Sequence, residues 1–297
     1  MARDASVEPG MKLCRFDGKF GDDCLGLVMD DQVIDVSRAL DSLPAHRWAY
    51  PPGDPVIANL NQLAPRIMEL AGGGTRHQLQ DVALRAPIAN PGKIIGAPVN
   101  YRAHKQEADD DVALHQGGKV MPIDEIGLFL KATSALAGPA DGIRLRFPDR
   151  RSDHEGEVVA VIGQTVNQVA VKEAMAAVAG YTLGLDMTVR GKEDRSFRKS
   201  CDTYAVTGPW FVTAAEIADP GAIIVETRVN GEVRQQGDTS QLIRSIAELI
   251  AMASQFYTLH PGDLIMTGTP AGVGPVAPGD VIEVISPAIG TLRTAVS

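Results

Sequence analysis

Residues 153–163 read DHEGEVVAVIG, in which two glutamates lead directly into an uninterrupted apolar run. A short apolar run that ends at a glycine is typical of a buried β-strand. Side chains two apart in a strand share a face, so Glu155 and Glu157 project together while His154 points the other way. Neighbouring carboxylates repel each other unless a cation holds them, and Mg²⁺, Mn²⁺ and Ca²⁺ prefer oxygen ligands. The pattern fits either a cation site at the mouth of a core or a solvated strand face.

The segments on either side of this stretch predict more strand than helix. Gly and Pro separate further strand-like segments, which read KIIGAPV, GLFLK, GIRLRF, AIIVETRVNG, DLIMTG and DVIEVI. Helical periodicity is confined to residues 59–71, 172–180 and 241–259. Because strands and helices do not alternate regularly, a doubly wound parallel sheet is disfavoured. We expect an α+β fold, mostly β, with a mixed or antiparallel sheet.

A Pro- and Gly-containing segment around residues 84–94 predicts a domain boundary near residue 90. The expected organisation is a small N-terminal domain with a flexible tail over residues 1–90, and a catalytic domain over residues 91–297.

Composition excludes several classes of protein. The 297 residues are 44% hydrophobic and 22% charged, as in an ordinary globular protein. A net charge of −9 argues against nucleic acid or an anionic membrane as the partner. Three scattered cysteines form no disulfide framework, and the first residues show no secretory signal. A cytoplasmic location is therefore expected. The sequence has no G-x-S-x-G, Walker or H-E-x-x-H motif.

Asp186 stands alone among apolar residues in the stretch GYTLGLDMTVRG. A buried carboxylate needs a partner. Arg190, four residues later, could be that partner in a structural salt bridge, or Asp186 could complete a three-carboxylate site with Glu155 and Glu157. The spacing leaves both interpretations open.

His104 precedes Glu107 by three residues, so the two side chains share a face if the segment is helical. A carboxylate in that position can orient an imidazole that acts as a general base. The alternative is an exposed surface pair. The Asp- and Gly-containing segment that follows, up to Glu125, predicts a mobile loop over a site.

Two lysines and one threonine are further candidates. Lys131 ends an apolar strand and Lys199 lies in a basic cluster with Arg195 and Arg198. Each fits either a structural role or contact with an acidic substrate. Thr269, in the sequence TGTP, can line a pocket or simply form a turn.

The order of these motifs along the chain resembles the fumarylacetoacetate hydrolase superfamily, which includes acylpyruvate hydrolases and 2-hydroxyhepta-2,4-diene-1,7-dioate isomerases. The resemblance covers roughly residues 90–290 and rests on the following motifs: Asn100-Tyr101-x-x-His104-x-x-Glu107, Leu128-Phe129-Leu130-Lys131, His154-Glu155-Gly156-Glu157, Asp186-Met187-Thr188-Val189-Arg190, Lys199-Ser200-Cys201-Asp202, Pro261-Gly262-Asp263 and Thr267-Gly268-Thr269-Pro270. Three departures are Ala132 where the family commonly has Pro, Leu185 where it usually has Asn, and a long Asp-rich lid.

The resemblance implies a mixed β-sheet roll around a Mg²⁺ or Mn²⁺ site, with Ca²⁺ as a substitute, in a homodimer. It assigns the metal ligands to Glu155, Glu157 and Asp186, and the water-activating dyad to His104 and Glu107. Residues that it places in the pocket or near the substrate are Lys131, Tyr101, Arg190, Lys199 and Thr269.

Because the dyad is present, we expect hydrolysis of a C–C bond in an acylpyruvate or related β-diketo acid of aromatic catabolism. Decarboxylation of oxaloacetate or a related diacid is the alternative, together with isomerisation of a dienoate. A non-catalytic metal-binding protein is a hypothesis of another class, but it would need neither His104 nor Lys131.

Overall fold

The computed structural model describes residues 10–18, 21–46, 48–110 and 121–297, with the backbone alone at residue 110. The strands are β1 Lys12–Gly18, β2 Gly21–Met29, β3 Gln32–Asp35, β4 Arg76–Gln78, β5 Ala83–Arg85, β6 Ile94–Gly96, β7 Phe129–Lys131, β8 Leu136–Ala137, β9 Ser152–His154, β10 Gly156–Ile162, β11 Val178–Asp186, β12 Thr188–Val189, β13 Ala205–Thr213, β14 Ile224–Val229, β15 Glu232–Asp238, β16 Leu264–Met266, β17 Gly274–Pro275, β18 Val281–Ser286 and β19 Gly290–Ala295. The helices are α1 Pro55–Ala58, α2 Leu60–Ala71, α3 Arg102–Asp110, α4 Ile123–Ile126, α5 Val171–Ala174, α6 Arg195–Arg198 and α7 Ile246–Phe256.

Most strands belong to one large sheet. Its twelve strands follow the order β4-β3-β2-β1-β13-β11-β10-β16-β6-β7, with β5 beside β1 and β8 beside β13. The pairs β16–β6 and β13–β8 are parallel, whereas the other pairs in this sheet are antiparallel. Two smaller sheets have the orders β12-β9-β17 and β15-β14-β18-β19. The predicted α+β, mostly β fold with a mixed sheet is confirmed.

Strand β10 lies inside the large sheet and is buried along its whole length. Its side chains alternate between two cores, with Val158 and Ala160 in one and Val159 and Val161 in the other. Helix α7 packs into the first core and helix α2 into the second. This burial on both faces explains why the strand is an unbroken apolar run rather than an alternating one.

The large sheet contains strands from both sides of residue 90. Strand β1 pairs with β13 through Lys12 opposite Val212 and Leu13 opposite Phe211. Strand β5, within the segment expected to be a linker, pairs with β1. The domain boundary near residue 90 stays a prediction.

Three local predictions differ from the structure. The segment GIRLRF is not a strand, since only Ile143 forms a bridge, to Val296. The expected helix over 172–180 is one short turn, because Val178 already begins β11. Helix α7 begins later than expected, since the Ser245 hydroxyl accepts from the Glu248 N–H and caps it there.

Part of the loop that is expected to be mobile, residues 111–120, lies outside the described residues. Within the described ranges, no helix has the length and apolar character needed to cross a bilayer.

Candidate active site

Pairing between β10 and β11 assembles three carboxylates. Gly156 lies opposite Leu185 in this antiparallel pair, so the start of one strand meets the end of the other. The Asp186 N–H donates to the Glu155 carbonyl at 2.9 Å. Carboxylate oxygens of Glu155, Glu157 and Asp186 consequently lie within 4.8 Å of one another, and all three residues are buried. Asp186 therefore joins the two glutamates predicted from the strand pattern.

Two ammonium groups offset part of this negative charge. Lys131 donates to the Asp186 carboxylate in a fully buried ion pair. Lys199 Nζ lies 2.6 Å from Glu155 Oε2 and 2.8 Å from Asp186 Oδ2. Burial lowers the pKa of Lys131, and the neighbouring Asp186 charge opposes that shift. Both lysines that the sequence proposed therefore contact the carboxylate cluster.

Glu157 differs from the other two carboxylates in its partners. It accepts the Gly268 N–H at Oε2, at 2.8 Å, and forms no ion pair with a described residue. Burial, followed by the nearby charges of Asp186 and Glu155, raises the pKa of Glu157 well above its usual range. Burial also tends to raise the pKa of Glu155. The charges of Lys199 and Arg190 outweigh this effect and hold the pKa of Glu155 far below its usual range.

The donor set fits a hard divalent cation. Three buried carboxylates supply only oxygen ligands, and the charge of one of them is not balanced by a cationic side chain. Glu155, Glu157 and Asp186 would hold the ion.

Arg190 does not pair with Asp186. Its Nε donates to Asp153 Oδ2 at 2.8 Å, and its Nη2 donates to Glu155 Oε1 at 3.3 Å. Asp153 is fully buried, and it was not among the site residues predicted from the sequence. The signal was available, because Asp153, Glu155 and Glu157 follow the same two-residue spacing.

His104 and Glu107 lie on helix α3 and contact each other, with Nδ1 to Oε2 at 2.8 Å. The other oxygen of Glu107 accepts the Gly272 N–H at 2.9 Å, which fixes the carboxylate. His104 is only 6% exposed, so the alternative of an exposed surface pair does not describe this imidazole. With Nδ1 engaged, Nε2 is the nitrogen left to accept a proton.

A single turn, residues 267–272, orients both groups. Gly268 donates its N–H to Glu157, and Gly272 donates its N–H to Glu107. Both glycines have positive φ, +100° and +101°. A Cβ at Gly272 would lie 1.9 Å from the Arg234 carbonyl oxygen, so backbone packing as well as φ requires glycine there.

Thr269 occupies the middle of this turn and is buried. Its hydroxyl donates to the Gly156 carbonyl at 2.9 Å and accepts from Gln235 Nε2 at 2.6 Å. Gln235 also accepts from the Gly156 N–H, and its Oε1 lies 3.1 Å from Nδ1 of His154. Gln235 was missed, because nothing in the polar strand EVRQQGD distinguishes it from an exposed residue.

A cavity of about 430 Å³ joins these groups. The three carboxylates, His104, Thr269 and Lys199 line its inner part, and residues 190–199 contribute one wall. Tyr101 and Lys131, predicted to lie near the substrate and in the pocket respectively, are buried and are not part of the cavity lining, so their roles toward a substrate stay predictions.

The chain is similar to proteins of one known family. Residues 93–297 match the family model described as fumarylacetoacetate hydrolase, C-terminal. The chain is 49% identical to the maleylpyruvate hydrolase of Aquipseudomonas alcaligenes, over 96% of this chain and 99% of that protein. It is 33% identical to the oxaloacetate tautomerase YisK of Bacillus subtilis, over 92% and 95% of the two chains.

A solved structure is also similar. The maleylpyruvate hydrolase of Sphingobium sp. SYK-6, in complex with manganese(II) and pyruvate, has 37% identity and a TM-score of 0.79. The match covers 96% of this chain and 98% of that chain.

Proposed function

Because the chain belongs to the fumarylacetoacetate hydrolase family, we propose that it is a divalent-metal-dependent hydrolase that cleaves a C–C bond of maleylpyruvate. The observation that carries this proposal is that His104, which contacts Glu107, lines the same cavity as three buried carboxylates. The full-length similarity to maleylpyruvate hydrolases supports the choice of substrate within the acylpyruvates.

The predicted cofactor, Mg²⁺ or Mn²⁺, is confirmed by the acidic triad together with the manganese complex of the Sphingobium relative. When bound, such an ion acts as a Lewis acid toward the carbonyl oxygens of a 1,3-dicarbonyl substrate.

The chain's own residues supply the proton transfers and the orientation. Nε2 of His104 takes a proton from water, whose hydroxyl adds to the acyl carbon of the substrate. Glu107 accepts from Nδ1 and stabilises the imidazolium that forms. The bond between the acyl carbon and the methylene carbon breaks, and its electron pair stays on the methylene carbon. That carbon takes the proton held on Nε2 of the His104 imidazolium to give pyruvate, while the acyl part leaves as a carboxylic acid.

Oxaloacetate chemistry is the second candidate, because an oxaloacetate tautomerase is among the relatives. Decarboxylation needs neither a nucleophilic water nor a general base, so the buried dyad, with both Glu107 oxygens hydrogen-bonded, favours hydrolysis over decarboxylation. Tautomerisation moves a proton between carbon and oxygen and can use the same base, so the substrate panel separates it from hydrolysis.

Four further proposals concern location, assembly, metabolic context and domain boundary. We propose a cytoplasmic homodimer that acts in aromatic-ring catabolism, with the catalytic domain starting near residue 91. The start of the family match at residue 93 supports this boundary. Light scattering coupled to gel filtration measures the oligomeric state.

The test is a substrate panel with chelator-stripped protein, assayed with added Mn²⁺ or Mg²⁺. Maleylpyruvate and acetylpyruvate hydrolysis is followed by pyruvate release, and oxaloacetate loss is followed in parallel. We expect metal-dependent pyruvate release from maleylpyruvate, abolished in Asp186→Asn. Turnover of oxaloacetate without any acylpyruvate hydrolysis would reject the proposal.

A further inference from the structure

One wall of the cavity is strongly cationic although the chain carries a net charge of −9. Residues 190–199 read RGKEDRSFRK, and their five cationic residues all line the cavity. Three of them have partners within the described chain. Arg190 and Lys199 contact the carboxylate cluster, and Arg198 donates to the backbone carbonyls of Val189 and Glu193.

The other two, Lys192 and Arg195, form no hydrogen bond or ion pair with a described residue; Lys192 is exposed, whereas Arg195 is partly buried. The guanidinium carbon lies 5.8 Å from the ring centroid of Phe129. The preceding carboxylate, Asp194, accepts the Ser196 N–H and caps helix α6. Arg195 is only partly exposed, and burial lowers its pKa. Its five donors are therefore available to an acceptor that enters the cavity.

The position of Arg195 relative to the carboxylate cluster follows from Phe129. Lys199 Nζ, which contacts Glu155 and Asp186, lies 5.3 Å from the same ring centroid. The Arg195 guanidinium carbon and Lys199 Nζ are therefore no more than about 11 Å apart. The two carboxyl carbons of a seven-carbon dioxo diacid are separated by six bonds, about 7 Å when extended and less across a cis double bond. This length is within the range allowed by the upper bound, so one carboxylate can lie at the cluster and the other at Arg195.

We propose that Arg195 binds the second carboxylate of a dicarboxylic acylpyruvate, with Phe129 supporting its guanidinium. This inference rests on the proposed function and deepens it, because it makes Arg195 the residue that distinguishes diacids from acylpyruvates with a neutral acyl group. Planar guanidinium donors match a carboxylate in a bidentate arrangement, which an ammonium group cannot reproduce.

The kinetic test compares Arg195→Met and Arg195→Lys on maleylpyruvate and on acetylpyruvate. Methionine keeps an unbranched apolar chain against Phe129 and removes the donors. We expect Arg195→Met to lower kcat/KM for maleylpyruvate by about 10- to 150-fold, as for hydrogen bonds to charged groups. Acetylpyruvate should change less than about threefold, and Arg195→Lys should fall between. The matched control is Arg146→Met, an exposed arginine outside the cavity lining.

A binding test keeps this inference separate from the proposed reaction. The Mn²⁺-loaded protein is titrated calorimetrically with 2-oxoheptanedioate and with 2-oxoheptanoate, which differ only in the distal carboxylate. Wild type should bind the diacid at least about tenfold more tightly, and Arg195→Met should bind both alike, with unchanged Mn²⁺ affinity.

The outcomes are distinguishable. Equal affinity of wild type for the two keto acids overturns the inference, as does an equal loss of activity on both acylpyruvates in Arg195→Met. If no acylpyruvate is hydrolysed but the diacid preference depends on Arg195, the proposed reaction fails and the carboxylate site stands.

Discussion

His104→Ala gives the sharpest test of the dyad. The imidazole is buried and does not belong to the group of proposed metal ligands, so its removal should leave the metal site intact. A positioned general base contributes about 10²–10⁴-fold to the rate. The kcat for maleylpyruvate should fall by that factor, which corresponds to about 3–5 kcal/mol in the activation free energy. Mn²⁺ affinity should stay unchanged. Decarboxylation of oxaloacetate, where present, should change much less.

Glu107→Gln should have an effect comparable to that of His104→Ala, and the structure gives the reason. When the amide oxygen accepts the Gly272 N–H, the amide NH₂ group faces Nδ1 and donates to it, so Nε2 carries the proton and cannot take one from water. We therefore expect a loss in kcat of about 10²-fold or more.

The assay is steady-state pyruvate release at saturating Mn²⁺, with calorimetric Mn²⁺ titration of each variant. Lys105→Ala is the matched control on helix α3, since Lys105 pairs with Asp109 at the surface. Hydrolysis by His104→Ala within threefold of wild type, with Mn²⁺ bound, would refute the assignment of the base.

Three further predictions concern the carboxylate cluster. Asp186→Asn should weaken Mn²⁺ binding by at least about 10-fold, and undiminished affinity in calorimetry would remove this residue from the ligand set. Mn²⁺ at 100 times its Kd should stabilise stripped wild type by about 2.7 kcal/mol, so an unchanged melting temperature would contradict a site that forms only on folding. Because the pKa of Glu157 is raised in the folded, metal-free protein, this residue stabilises the folded state at low pH. That stabilisation is lost as pH rises above 4.5, the ordinary pKa of a glutamate. With chelator present, the melting temperature of Glu157→Gln should therefore rise relative to that of wild type as pH increases. A difference between the two that does not change with pH would contradict this.

Local spacing was enough to predict part of the site. The two-residue period places Glu155 and Glu157 together, and the three-residue helical spacing places His104 beside Glu107. The Asp186 contact could not be derived in this way, because it depends on the register that sets Gly156 opposite Leu185. The resemblance to a family supplied that assignment.

Contacts between distant segments account for what the sequence did not reveal. Gln235 reaches Gly156 across 79 residues, and its neighbours in β15 are mostly exposed polar residues. The start of helix α7 was predictable in principle, since Ser245 and Glu248 have the spacing of a capping box. Hydrophobic periodicity alone extended that helix too far, because Leu242 is buried without being helical.

The turn at residues 267–272 fixes the spacing between the carboxylate cluster and the His104–Glu107 dyad. Three residues lie between Gly268, whose amide holds Glu157, and Gly272, whose amide holds Glu107, and backbone packing leaves no room for a side chain at Gly272. An insertion or deletion in this turn would displace the water-activating group and the cation site relative to each other. Substitutions in the cationic wall at residues 190–199 leave that spacing unaltered. Specificity for new substrates can therefore change more easily there than in the turn.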